Sequence, residues 1–194
     1  DVTEDVWGRR YEVADSGTLR LCDGHWRSQL VIDVEPEADV VVEGIGDVVI
    51  DADAEGSVIE VVGELNTLEI RDLAMTGGDA MRGGAIYART LDIVLDNVDI
   101  WGNEAEEYGG AIFIDEGSVD LHTSHIRANT SKGLFLGGGG IYLGTGPVTA
   151  LDSSIVYNRA EGLLSSGGGL YTLSGSIQLT NTELSHNAAF SHGG

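Results

Sequence analysis

Short runs of alternating apolar and polar residues follow one another along the whole chain. In its first part, aliphatic residues two positions apart occur as Leu19/Leu21, Leu30/Ile32, Val40/Val42, Val48/Ile50, Ile59/Val61 and Leu68/Ile70. A spacing of two is the period of a β-strand that buries one face. Because no segment has helical periodicity, the pattern predicts an all-β protein made of short strands.

The second part of the chain contains an internal repeat. A glycine pair followed by a small and an aliphatic residue begins at Gly83, Gly109, Gly138 and Gly167. A second motif is an asparagine with an aliphatic residue three positions before it, and it occurs at Asn103, Asn129, Asn158 and Asn187. Each Asn lies 20 residues after its glycine pair, whereas the next pair follows after 6, 9, 9 and 6 residues. A constant block with one variable connection is typical of a solenoid coil.

The repeat predicts a right-handed parallel β-helix of about six to seven coils, with three short strands per coil. We expect one domain over residues 1–194. Residues 1–18 form an N-terminal cap or first strand, 19–82 irregular coils, and 83–194 regular coils that end mid-coil. Since successive coils rise by about 4.8 Å, residues at equal positions stack. One interior row should contain Ile86, Ile112, Ile141 and Leu170.

Stacking also predicts two columns of polar or aromatic side chains. The four Asn residues should form a structural ladder in which side-chain amides hydrogen-bond along a corner. Beside the interior row, the residues Tyr87, Phe113, Tyr142 and Tyr171 should face away from the core. This aromatic column is either a platform for a sugar ligand or a stabilising ladder covered by a turn.

A third set of stacked residues could carry chemistry. Asp96 should lie over His122, and Asp99 over His125, with Asp120 and Asp152 nearby. Two Asp–His pairs suit metal binding or acid–base catalysis, but a solvated face with ordinary charge pairs has the same pattern. In the variable connections, Lys132 should stack over Glu161, and Leu134 over Leu163. These loops either pack on each other or form an apolar docking ridge.

Composition narrows the function classes. With 32 acidic and 10 basic residues the net charge is −22, which disfavours binding to nucleic acid. There is no apolar run of about 18 residues, so no transmembrane helix is expected. The single cysteine, Cys22, excludes an internal disulfide. No cofactor is required by any motif, and Ca²⁺ is the one ion that the acidic turns leave open.

The motifs resemble those of a known group of repeats. Gly83-Gly84-Ala85-Ile86 and Gly109-Gly110-Ala111-Ile112 match the GGAI motif of the polymorphic outer-membrane protein repeat, and the Asn motif resembles its FxxN, with Ile or Leu in place of Phe. More broadly, the chain is similar to bacterial right-handed parallel β-helix proteins. The resemblance implies an extracellular or bacterial cell-surface, outer membrane-associated location.

These observations predict a non-catalytic β-helix module, similar to an adhesin, with an adhesive or structural role. Its partner would be a glycan or a host or cell-surface protein. One alternative is a carbohydrate-active enzyme of the polysaccharide lyase or glycoside hydrolase type, although the one lysine and nine scattered arginines form no cluster for an acidic substrate. Another is a subunit that stacks end to end into filaments through its open C-terminal coil.

Overall fold

The computed structural model describes residues 9–135, 137–191 and 193. Within them the protein is all-β and forms a parallel β-helix of about seven turns, which confirms the predicted fold class. Strand pairing is parallel throughout, and each strand pairs with its equivalents in the neighbouring coils. The strands are β1 (Arg9–Val13), β2 (Gly17–Ile32), β3 (Ala38–Asp51), β4 (Ile59–Val61), β5 (Leu65–Thr76), β6 (Asp79–Arg82), β7 (Ile86–Trp101), β8 (Glu104–Tyr108), β9 (Ile112–His122), β10 (His125–Arg127), β11 (Thr130–Ser131), β12 (Ile141–Thr145), β13 (Val148–Leu151), β14 (Ser154–Val156), β15 (Arg159–Ala160), β16 (Leu170–Ser174), β17 (Ile177–Thr180), β18 (Glu183–Ser185) and β19 (Ala188–Ala189).

The strands belong to two sheets that wrap around one core. Fourteen of the described strands form the larger sheet, and the short strands β6, β8, β11, β15 and β19 form the smaller one. Each of the last four of these strands begins directly after an asparagine of the repeat, at Asn103, Asn129, Asn158 and Asn187. A regular coil therefore contains a short segment after its Asn in addition to the three predicted strands.

The predicted interior rows are continuous. Ile86 pairs with Ile112, Ile112 with Ile141, and Ile141 with Leu170. The first three of these side chains are fully buried. The aliphatic pairs of the irregular coils also point inward, and Leu68 and Ile70 are as deeply buried as the regular positions. Apolar burial along this single axis is the main stabilising contribution to the fold.

The glycine pairs make a corner that side chains would block. Gly109 has a φ of +65°, a left-handed conformation that residues with a Cβ rarely adopt. Its neighbour Gly110 lies against the carbonyl oxygen of Gly139 and the backbone of Thr130, and a Cβ would overlap both. The first glycine thus supplies the turn, and the second allows adjacent coils to approach.

The two ends of the β-helix differ. Of the predicted N-terminal segment, residues 1–8 lie outside the described residues, and β1 is a strand that pairs with Ser28–Ile32 of β2. At the other end, Ile177 and Leu184 occupy interior columns yet are 49% and 47% exposed. The last described coil therefore presents apolar interior positions to solvent.

Candidate functional site

The Asn residues form the predicted ladder. The side-chain amide of Asn103 donates to Asn129 Oδ1 at 3.0 Å, Asn129 donates to Asn158 at 3.0 Å, and Asn158 donates to Asn187 at 3.1 Å. Each of these Oδ1 atoms also accepts a hydrogen bond from the backbone N–H of the Asn in the preceding coil. Buried polar groups are stable only when they are hydrogen-bonded, so this column has a structural role.

The aromatic residues stack as predicted. Ring centroids are 5.7 Å apart for Tyr87 and Phe113, 5.0 Å for Phe113 and Tyr142, and 5.6 Å for Tyr142 and Tyr171. The interplanar angles of these pairs are 12°, 7° and 16°. One ring per coil, held at the strand spacing, gives a continuous column along the β-helix axis.

The centre of this column is covered, which is the second of the two predicted arrangements, a stabilising ladder beneath a turn. Phe113 and Tyr142 are each only 4% exposed. Tyr108 stacks on Tyr142 at 5.3 Å, and the Arg82 guanidinium lies 5.3 Å from the Phe113 ring centroid. These side chains come from the small sheet, which turns back over the column. The two central rings therefore stabilise the coil and cannot act as a sugar platform.

Arg82 is held in place by a neighbouring carboxylate. Its Nε donates to Glu107 Oε2 at 2.5 Å. That hydrogen bond is the main reason that the pKa of Arg82 is raised above its ordinary value. The guanidinium also lies 5.6 Å from the Tyr108 ring centroid. Arg82 is thus a permanent cation already engaged with Glu107 and two aromatic rings.

A cleft of about 510 Å³ lies at the Tyr87 end of the column. The register partner of Tyr87 on the side away from Phe113 is Glu60, not another aromatic residue. The cleft is lined by Glu55, Gly56, Ser57, Glu60, Asp79, Ala80, Met81, Arg82 and Tyr87. It thus combines an aromatic ring, three carboxylates and one arginine in a concave surface.

Sequence reasoning missed most residues of this cleft. Glu60 stands between Ile59 and Val61, which is the position that Tyr87 occupies after Ile86 in the next coil. This shared position is the one sequence signal that places Glu60 next to Tyr87. Glu55 and Asp79 lie in the irregular coils, where no repeat spacing relates them to Tyr87.

The Asp and His residues stack in the predicted register, and among the described residues they do not belong to a group of three or more potential metal ligands. Asp96 pairs with His122, and Asp99 with His125. However, Asp99 accepts two hydrogen bonds from Arg127, at 3.1 and 2.6 Å, and His125 contacts Ser154 Oγ at 2.8 Å. In the described part of the chain, neither Asp–His pair is within ion-pair distance.

The neighbouring acidic residues are also engaged across coils. Asp120 accepts a hydrogen bond from Thr149, and Asp152 accepts one from Asn181. The carboxylates of this face therefore hold adjacent coils together. The structure thus pairs Asp99 with Arg127 and His125 with Ser154 rather than with each other, and the metal or acid–base site at Asp96, Asp99, His122 and His125 stays a prediction.

A different group of carboxylates lies on the small sheet. Ligand oxygens of Asp79, Glu104 and Glu106 are within 4.8 Å of one another. The ammonium of Lys132 contacts Glu104 and lies 3.3 Å from Glu106. Lys132 is in register with Glu161 as predicted, but its ion pairs are formed with two carboxylates of the preceding coil, Glu104 and Glu106. Glu161 instead contacts Arg159 at 3.1 Å.

The variable loops form an exposed ridge. The backbone N–H of Leu164 donates to the carbonyl oxygen of Leu134 at 3.0 Å, so the two loops are hydrogen-bonded to each other. The side chains of Leu134 and Leu163 are 50% and 61% exposed. The loops thus contact each other through their backbones while their apolar side chains remain in solvent.

Comparison with protein-family models, with curated proteins and with solved structures finds no match to this chain. The resemblance to polymorphic outer-membrane protein repeats therefore stays a prediction that rests on the GGAI and Asn motifs. Among the described residues, no helix is long and apolar enough to cross a membrane.

Proposed function

We propose that this protein is a non-catalytic β-helix module of an extracellular or cell-surface protein, with an adhesive or structural role. The observation that carries the proposal is the aromatic column, which is buried at its centre and ends in the open cleft beside Tyr87. In this arrangement the Tyr87 ring, which lines the cleft, is held in place by its stacking on Phe113. A pre-organised surface loses little entropy when a ligand binds.

The polar side chains support a binding role over catalysis. Catalytic acids and bases need a substrate-facing position and a tuned pKa. Here Asp99, Asp120 and Asp152 are engaged with residues of adjacent coils. These three carboxylates therefore join adjacent coils, which favours a binding or structural module over an enzyme. The GGAI-type motifs favour a bacterial surface location, and the charge of −22 favours a partner that is not nucleic acid.

The adhesive role can be tested with an array that carries neutral, acidic and amine-bearing glycans together with peptides from surface proteins. We expect retention of the chain on a subset of spots and its loss in the Tyr87→Ala variant. Tyr157→Ala is the matched control, because Tyr157 is 60% exposed and lies outside the column. Retention that persists in Tyr87→Ala would refute the cleft as the binding surface. Shortening of an arrayed polysaccharide would instead identify the carbohydrate-active alternative.

A second candidate function is self-assembly. The exposed interior positions Ile177 and Leu184, on the last described coil, favour end-to-end stacking with another copy. Parallel strands at that end offer backbone groups that a further coil could pair with. In this function the protein would be a filament subunit rather than an adhesin.

A further inference from the structure

We propose that the cleft beside Tyr87 receives a lysine or arginine side chain from a basic protein segment. This inference rests on the proposed function, because it names the partner of the same binding surface. It follows from three features of the described residues: an aromatic face at the end of a stack, the sign of the charges around it, and the acidic surface that continues from the cleft.

The aromatic face is provided by Tyr87. One side of its ring stacks on Phe113, at a centroid distance of 5.7 Å. On the other side the preceding coil has Glu60, so among the described residues the stack ends at Tyr87. An ammonium or guanidinium is attracted to an aromatic face within about 6 Å. The carboxylates of Glu55 and Asp79, which line the same cleft, add to that attraction.

The charges of the cleft select a cation. Glu55, Glu60 and Asp79 contribute three carboxylates to the lining. Among the described residues of the lining, Arg82 is the only basic one, and it is bound to Glu107 and lies over the Phe113 ring. An anionic ligand would meet the like charges of Glu55 and Asp79, which repel strongly in a concave site. A cationic ligand would instead complement the site.

The surface next to the cleft indicates a peptide rather than a small amine. Asp79 belongs both to the cleft and to the group formed with Glu104 and Glu106 on the small sheet. The contacts of Lys132 with Glu104 and Glu106 show that a lysine ammonium fits among these carboxylates. An extended acidic strip complements a segment with several basic side chains, and the chain's charge of −22 attracts such a partner from a distance.

The test measures the binding of fluorescein-labelled octalysine and octaarginine by anisotropy. We expect binding by the wild-type chain, and a loss of affinity of about fivefold or more in Tyr87→Leu, Glu55→Gln and Asp79→Asn. Tyr87→Phe should bind like the wild type, because the aromatic face is kept. Octalysine acetylated on every side chain should not bind.

Matched controls separate the cleft from the general negative charge. Glu35→Gln removes the same charge at an exposed position outside the cleft, and Tyr157→Leu removes an exposed ring outside the column. Both should stay within about twofold of wild type. Thermal unfolding of each variant verifies that it is folded.

Three results would overturn the inference. Equal losses in Glu35→Gln and Glu55→Gln would show non-specific charge attraction only. Tighter binding of a chitosan oligomer, with the same dependence on Tyr87, would identify an amino sugar as the ligand in place of a peptide. If neither peptide binds while Tyr87→Ala abolishes retention on a glycan, the inference fails but the proposed function stands. If no array ligand is retained, the proposed function itself fails.

Discussion

Glycines at two corners of the coil have similar backbone angles but different surroundings. Gly109 and Gly102 have φ values of +65° and +64°. A Cβ on Gly109 would collide with the carbonyl oxygen of Ile112, whereas at Gly102 the nearest atom would be Thr76 Oγ1 at 3.4 Å. In the next coil the equivalent of Gly102 is Ala128, with a φ of 53°. The second corner thus tolerates a side chain, and the first does not.

This pair of glycines gives a direct stability test. We expect Gly102→Ala to lower the free energy of unfolding by about 1 kcal/mol, the strain of a left-handed residue that has a Cβ. Gly109→Ala should lower it by at least about 3 kcal/mol, because backbone atoms of the next residues would have to move as well. Denaturant titration followed by circular dichroism measures both. Equal losses would mean that conformational strain alone, without the close approach, explains why glycine recurs at the first corner.

At the scale of elements, the strands of neighbouring coils act together through the aromatic column. Burial is the main cause that raises the pKa of Tyr142 above its ordinary value of 10.0, and the charge of Asp115 adds to it. Because the folded state holds the phenol proton more tightly than the unfolded chain, stability from this group is complete below pH 10. It is lost as the pH rises through the raised pKa.

The column should therefore weaken in alkali. We expect the melting temperature of the wild type to fall from about pH 10 upward, as Tyr142 ionises preferentially in the unfolded chain. Tyr142→Phe removes this part of the loss, so its melting temperature should exceed that of wild type above pH 10 and match it closely near pH 8. Tyr157→Phe, in an exposed ring, is the control. If the melting temperatures of Tyr142→Phe and wild type fell by the same amount between pH 8 and pH values above 10, the prediction would be contradicted.

At the scale of the whole molecule, the exposed interior of the last described coil should lead to association. For the 194-residue chain on its own, we expect the mass measured by light scattering to increase with concentration. Ile177→Lys with Leu184→Lys should reduce this increase, because a charge would be buried at the junction. Leu134→Lys, on the loop ridge, should leave it unchanged.

Two outcomes would count against end-to-end stacking. A constant monomer mass at every concentration would exclude self-association through this end. If Leu134→Lys alone abolished the association, the loop ridge would be the contact surface instead. Salt adds a further check, since a chain with a net charge of −22 repels its copies and should associate more readily when this charge is screened.

The sequence by itself determined the coil. Its repeat sets which residues stack, because one turn of a parallel β-helix places equal positions one strand spacing apart. The interior row through Ile112, the ladder through Asn129 and the aromatic stack through Phe113 follow from this rule. Each of these predictions concerns a contact between equivalent positions of successive coils, and each is confirmed.

Only the tertiary structure decided which side chains meet across different columns. The turn of the small sheet over Phe113 and Tyr142, and the attraction of Lys132 to Glu104, involve positions that no repeat relates. The same is true of Asp99, which binds Arg127 although His125 is its register partner. Long charged side chains reach from one column to another, and they pair with whichever opposite charge is close. These distances depend on the folded surface and not on the period of the repeat. The cleft beside Tyr87 arises in this way, where a regular column meets the irregular coils.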